Sequence, residues 1–232
     1  MKKILLIVLL LSITICFNNL MAQKDTLKNE VADFGFMFFP IEFPSIENDA
    51  LNEQLQAFGF PSANYPKACI GVGWQASYNR YIATFSFNQT TKRNVQSDYL
   101  SKTSYRSFSL NIGYDLLKYP YFSIYPYAGY KSGRLNYLCR DALTSESSFD
   151  NYFKTDLKYK EITNFRSHID LGMGFSCQTN GAMINFRFGY LFPLEKVRWK
   201  MNDNQMELTN SPSIYYNYYF SIIVGMGYMD VH

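Results

Sequence analysis

Tryptophan and histidine are scarce, two of each in 232 residues, and cysteine occurs only four times. Cys16 falls in an N-terminal apolar run, which leaves Cys69, Cys139 and Cys177 as an odd and widely spaced set. Such a set is no disulfide framework, and its spacings match no metal motif. Charge is also sparse. The formal net charge of +3 falls by two, to +1, if Lys2 and Lys3 leave with the N-terminal run. No basic cluster suggests a nucleic-acid partner. No phosphate loop, metal cluster or nucleophile elbow occurs, so the sequence calls for no cofactor, no metal and no catalytic residue. Beyond residue 22, no stretch is apolar enough to be a membrane helix.

What the chain does have is aromatic residues, 18% of the total, with 20 tyrosines. Tyrosine-rich, moderately hydrophobic chains suit a surface that is half apolar and half wet. Met1 to Ala22 has the layout of a secretory signal: Lys2 and Lys3, the apolar run Ile4 to Phe17, and Leu20-Met21-Ala22 before a cut at Gln23. An uncleaved anchor helix and a lipoprotein signal at Cys16 are the alternatives; bulky Ile15 argues against the second. The expected organisation is a signal over 1–22 and one domain over 23–232.

Ser213 to Tyr228, SIYYNYYFSIIVGMGY, shows how that domain is built. Side chains alternate faces along a strand. Tyr216, Tyr218, Phe220, Ile222, Val224, Met226 and Tyr228 form one apolar face; Tyr215, Asn217, Tyr219, Ser221, Ile223, Gly225 and Gly227 form a mixed one. Tyrosine at both ends of an aliphatic face fits a strand crossing a bilayer. Seven earlier runs behave alike. The first, Asp33 to Phe39, alternates Phe34, Phe36 and Phe38 with Asp33, Gly35 and Met37, and Pro40 and Pro44 are expected to end it. The others are Ala68–Ser77, Tyr81–Lys92, Ser104–Asp115, Tyr121 to about Asn136, Phe165–Cys177 and Ala182–Phe192. Pro126 lies within one of them and predicts a bulge. A short helix is expected over Asn48 to Phe58, from Leu51, Leu55 and Phe58 and the stop at Gly59.

The connections alternate in length. Those after the first, third, fifth and seventh strands are long; those after the second, fourth and sixth are short. Strands threaded up and down through a membrane give this pattern, with short periplasmic turns and long extracellular loops. A soluble eight-stranded barrel would place its apolar faces inside. Here the second face carries Thr84, Ser86, Asn111, Asp115, Asn185 and Arg187 among many glycines, which suits a narrow interior. The expected fold is therefore all-β: an eight-stranded antiparallel up-and-down transmembrane β-barrel.

Three features carry a resemblance: the Ala22-Gln23 signal end, the alternation of short and long loops, and the aromatic C-terminal strand. With these the chain resembles the small outer-membrane β-barrel proteins of Gram-negative bacteria, similar in architecture to outer-membrane proteins A and X. One departure is the tail Met229-Asp230-Val231-His232, which displaces the terminal aromatic residue usual there. The resemblance implies an outer-membrane location, lipid and the β-barrel assembly machinery as partners, and an extracellular ligand the loops do not spell out. It leaves activity open.

The candidate site is a lumen network. Arg166, His168 and Asp170 form an i, i+2, i+4 row, Asn185 and Arg187 face the same side of the next strand, and Asp115 and Lys131 are expected to join them. The functional readings are an acid–base site or a pore lining. The reading adopted is a plug of compensated charges inside a narrow barrel. Ser167 and His168 are adjacent and so face opposite sides, which argues against the serine–histidine pair of lipid-deacylating barrels. The inward glycines fit either a channel or relief of crowding beside Tyr125, Tyr127 and Tyr219. The expected role is structural or interactive, not enzymatic, with a small-solute channel or a lipid-modifying enzyme as alternatives.

Overall fold

Inside a bilayer the backbone has no water to bond, so spanning strands must form a ladder with no free edge. The computed structural model describes residues 32–65, 67–95, 99–117, 119–141, 159–196, 198–201, 206–208 and 212–231, and has such a ladder. The elements are β1 (Ala32–Glu47), α1 (Asp49–Ala57), β2 (Cys69–Tyr78), β3 (Tyr81–Val95), β4 (Tyr99–Tyr114), β5 (Phe122–Asp141), β6 (Tyr159–Thr179), β7 (Ala182–Pro193), β8 (Trp199–Met201), β9 (Met206–Leu208) and β10 (Tyr215–Val231). β1 to β7 pair in chain order, and β10 joins β7 to β1, closing an antiparallel barrel of eight strands. The β8–β9 hairpin prolongs the sheet where β7 stops: His168 pairs with Pro193, and Trp199 of β8 takes over opposite Asn164. The signal over 1–22, the lead-in Gln23 to Val31 and His232 lie outside the described residues.

Short turns gather at one end. Asn79 and Arg80 both take positive φ, 50° and 72°, as a two-residue hairpin requires, and Gly181 with φ 113° serves the Asn180-Gly181 turn. At the other end the strands run further than expected. β3 and β4 stay paired through Arg93 opposite Lys102 and Val95 opposite Leu100, within the stretch expected to be a loop. β5 and β6 likewise remain paired out to Arg140 opposite Tyr159. Their outward residues are mostly polar there, with Val95, Leu100 and Leu138 as apolar exceptions, so the continuous apolar face that marks a lipid-facing strand is lost while the ladder persists.

The prolines of β1 do not end it. The β1–β2 ladder lapses at Phe39 and Pro40, then resumes in the same register at Ile41 opposite Ile70, so the nitrogen without a hydrogen costs no bond. Pro44 lies beyond the last β2 pairing, at Glu42 opposite Cys69. On its other side the register with β10 shifts between Pro44 and Ile46. That shift turns Tyr216 inward: it is 4% exposed, whereas Tyr215 is 50% exposed. Tyr216 therefore leaves the lipid face on which the plain alternation places it. The bulge expected at Pro126 is also absent. Pro126 pairs with Met173 in unbroken register, and the β4 ladder has already ended at Tyr127.

The outer surface is apolar. Trp74, Phe85, Phe87, Leu110, Ile112, Leu171, Phe188 and Val224 are all exposed, as a lipid-facing band demands. Tyr78, Tyr81, Tyr114 and Tyr228 lie at its short-turn edge, with Tyr81 and Tyr114 packed edge-on across two strands. The interior is more apolar than a simple polar-in rule predicts. Phe34, Phe36 and Phe38 turn inward and cluster with Ile82, Tyr125, Tyr127, Met183 and Ile223. A second cluster, at the long-loop end, joins Leu51 of α1 to Tyr105, Leu135, Tyr137, Trp199, Ile214 and Tyr216. α1 is fixed there by Asn48, whose amide donates to the Ala63 carbonyl at 2.7 Å, and by Asn52, which accepts from the Ala63 N–H at 2.8 Å. Gly59, with φ 77°, stops the helix.

Large inward rings fit because small residues face them. A Cβ on Gly73 would lie 2.3 Å from Cζ of Phe38, and one on Gly174 would lie 2.2 Å from Cζ of Tyr125. At Gly174 the nearest obstacles are all atoms of the Tyr125 ring. Gly174→Ala is therefore expected to cost about 1–3 kcal/mol by overpacking. Most of that loss should vanish in a Tyr125→Ala background, read as a coupling between urea unfolding midpoints in detergent.

Candidate functional site: the polar belt inside the barrel

Between the two apolar clusters lies a belt of buried polar side chains, and every barrel strand contributes to it. Lys131 of β5 places its ammonium 2.7 Å from Oε2 of Glu42 on β1. The same ammonium lies 3.6 Å from the centre of the Tyr219 ring on β10. Asn88 of β3 donates to Glu42 at 3.4 Å. Asp170 of β6 accepts from Asn111 of β4 at 3.1 Å and from the Tyr219 hydroxyl at 2.7 Å. Tyr219 and Tyr127 share a hydroxyl–hydroxyl bond of 3.0 Å. Asn185 of β7 donates to Gln75 of β2 at 2.8 Å and to the Tyr125 hydroxyl at 2.5 Å. Arg187 lies 4.1 Å above the Tyr127 ring. These bonds cross from wall to wall.

Of the residues singled out from sequence, Lys131, Asp170, Asn185 and Arg187 fall within this belt. His168 is inward too, but packs edge-on against Tyr216, 5.8 Å between ring centres, nearer the long-loop end. Arg166 lies at that end and donates to the Ile214 carbonyl at 2.6 Å. Among the described residues, no ion pair within 4.0 Å joins Asp170 to Arg166 or Arg187. The expected carboxylate–arginine pairing is thus replaced by hydrogen bonds to neutral groups and by ring stacking.

Asp115 does not belong to the belt. It sits at the short-turn end, where its Oδ1 accepts from the N–H of Leu117 at 3.0 Å and of Ile124 at 3.2 Å. Burial pushes its carboxyl up, against those donors and the nearby Arg80. Arg80 itself donates to the Asp115 carbonyl at 2.6 Å. Asp115 is a turn-forming residue.

Glu42, Gln75, Asn88 and the bonded tyrosine hydroxyls join the belt without having been singled out from sequence. Glu42 lies two residues past Pro40, in a stretch expected to be a loop. A signal for it exists: Phe38, Pro40 and Glu42 continue the alternation, and an inward Lys131 requires a counter-ion. The belt offers no nucleophile beside a base. Ser167 faces outward and bonds the Tyr130 hydroxyl at 2.8 Å, on the far side of the wall from His168. Among the described residues, no three His, Cys, Asp or Glu side chains are grouped to hold a metal.

Removing one partner of the buried Lys131–Glu42 pair strands the other. Lys131→Met is expected to destabilise by about 3–5 kcal/mol. The double change Lys131→Met with Glu42→Leu should restore most of that, as measured by unfolding in detergent. A loss in the double variant equal to the sum of the Lys131→Met and Glu42→Leu losses would show that the pair is not coupled.

No family model and no curated protein matches the chain. Solved structures do. A major outer membrane protein from Thermus thermophilus aligns at 10% identity and TM-score 0.50, covering 86% of this chain and 99% of that one. Ail, the attachment invasion locus protein of Yersinia pestis, aligns at 14% identity and TM-score 0.46, covering 85% and 99%. The outer membrane protease OmpT from Escherichia coli aligns at 12% and TM-score 0.37, covering 87% and 96%. At these identities the likeness is one of fold.

Proposed function

We propose that this chain, whose fold is that of the small outer-membrane β-barrels, resides in the outer membrane with a closed interior and acts through its outward surfaces. The supporting observation is the belt. Side chains from all eight strands meet across the lumen, and an aromatic cluster lies on either side of it. Eight strands leave a bore only wide enough for side chains to fill. A solute would have to break the Lys131–Glu42 pair and the Tyr127–Tyr219–Asp170 chain to pass.

In this reading the signal over 1–22 directs export, and the β-barrel assembly machinery inserts the chain with both strand ends in the periplasm. The long-loop end, with α1 and the β8–β9 hairpin, then faces outward and presents the surface available to an extracellular ligand. No catalytic role is assigned: Ser167 and His168 occupy opposite sides of the wall, and the belt holds no activated nucleophile.

Single-channel recording on the purified barrel in planar bilayers tests this. The expected result is insertion without conductance steps. Discrete steps from pure protein would favour the channel.

A further inference from the structure

The strands that outrun the lipid band carry an unusual charge pattern on their outer face. Arg106 of β4 stands directly opposite Arg134 of β5. Arg93 of β3 stands directly opposite Lys102 of β4. Arg140 of β5 follows, opposite Leu100. Like charges placed directly across a ladder repel and destabilise it. The described ion pairs within 4.0 Å are Lys131–Glu42 and Arg198–Glu207, and neither draws on these five cations. Among the described residues one carboxylate, Glu161, shares the face at its β6 edge, opposite Leu138, and it is engaged in an interaction of its own. Arg134 does reach Asn136, at 3.2 Å, but that acceptor is neutral.

Height is the second observation. Phe87 pairs with Phe108, and this is the last aromatic pair of the lipid band on β3 and β4; Phe85 also packs against Phe108 at 5.1 Å. Arg106 is two residues further on, about 7 Å along the strand. Lys102 is four residues beyond that, about 13 Å more. The polar headgroup zone of a bilayer is about 5–8 Å deep on each side. Arg106 and Arg134 therefore fall in the headgroup layer, and Arg93 and Lys102 at or above its outer limit.

We propose that the outer face of β3, β4 and β5 is a binding surface for phosphorylated glycolipid in the leaflet around the long-loop end. This rests on the outer-membrane reading and names a partner for it. Cross-strand Cβ atoms are about 5 Å apart, so two guanidinium groups can close on one phosphate. Arginine presents a planar fork that matches phosphate in a bidentate way. The phosphate converts a repulsive pair into a bridged one. The source is lipid because the stripe is continuous with the lipid-facing band and lies on the barrel wall, where the acyl chains of the same molecule would meet Phe87, Phe108 and Tyr130.

The test uses the full barrel purified in neutral detergent, titrated with bis-phosphorylated lipid A or with its dephosphorylated form. The phosphorylated form should raise the thermal midpoint and be retained in native mass spectra; the dephosphorylated form should do neither. R106Q/R134Q should weaken apparent affinity about tenfold or more, as loss of charge-assisted bonds implies. The same variant should be more stable than the parent without lipid, because the repulsion is gone. A merely structural role for the two arginines predicts the opposite sign. R93Q/K102Q, at or above the outer limit of the headgroup layer, should gain stability without lipid in the same way but lose less affinity for lipid A than R106Q/R134Q, and Lys196→Gln, an exposed cation beyond β7, should change nothing. Equal binding of the dephosphorylated form, undiminished affinity in both double variants, or equal affinity of soluble polyphosphate for these residues would overturn the proposal. Failure of the barrel to insert into lipid vesicles would instead overturn the membrane reading beneath it.

Discussion

The structure depends on closure of the backbone ladder. In hydrocarbon an unpaired N–H or C=O costs several kcal/mol, so a spanning sheet must leave none at an edge. β1 therefore has to meet β10, and the details of that seam follow. Pro40 and Pro44 can sit in β1 only where the β2 ladder has lapsed or ended. The extra residue that β10 carries near Tyr216 is absorbed as a register shift on the remaining side. A strand that looks interrupted in sequence is continuous because its defects face places where no bond is required.

Closure with eight strands then fixes the contents of the lumen. The bore admits side chains and little else, so each large inward residue needs a small one opposite. Tyr125 lies against Gly174, and Tyr127 and Tyr219 lie against Gly189. Inward charges face the same constraint in electrostatic form. Glu42 and Lys131 neutralise each other, while Asp170 is held by donors that carry no charge. The belt is thereby bridged from wall to wall, although Glu42 Oε1, Asp170 Oδ1 and Arg187 Nε and Nη2 are buried with no hydrogen-bond partner among the described residues, and the two aromatic clusters lie on either side of it.

Much of this is legible in the sequence, and the failures have physical causes. Strand alternation and loop asymmetry suffice for the barrel, because lipid on one side and a filled bore on the other impose a period of two over long stretches. The same alternation places Lys131, Asp170, Asn185 and Arg187 inside. It fails for Tyr216, because one extra residue in β10 reverses every side chain beyond it. It fails for Glu42, because a proline ordinarily ends a strand, and here the ladder has a gap where the proline sits. Asp115 is misplaced along the barrel axis, not across the wall: alternation reports which face a residue takes, and only the register reports its height. The inward Phe34, Phe36 and Phe38 defeat a polar-in rule, since a bore filled by side chains favours any residue that packs. The outer extensions of β3 to β6 look like loops in sequence because apolar alternation ends where the lipid ends, whereas hydrogen bonding continues.

That last distinction bears on where the molecule can engage anything else. Entry into the belt would first have to break the buried Lys131–Glu42 pair and the Tyr219–Asp170 bond. The extended outer sheet is the reverse case. Arg106 opposite Arg134 and Arg93 opposite Lys102 are repulsive contacts held by a ladder that is paired on both sides. An anion bound there removes repulsion and adds charge-assisted hydrogen bonds at once, at the expense of no more than the neutral Arg134–Asn136 bond. The interior commits its polar groups to holding eight strands in register, and the free energy still available to a partner lies on the wall just above the lipid.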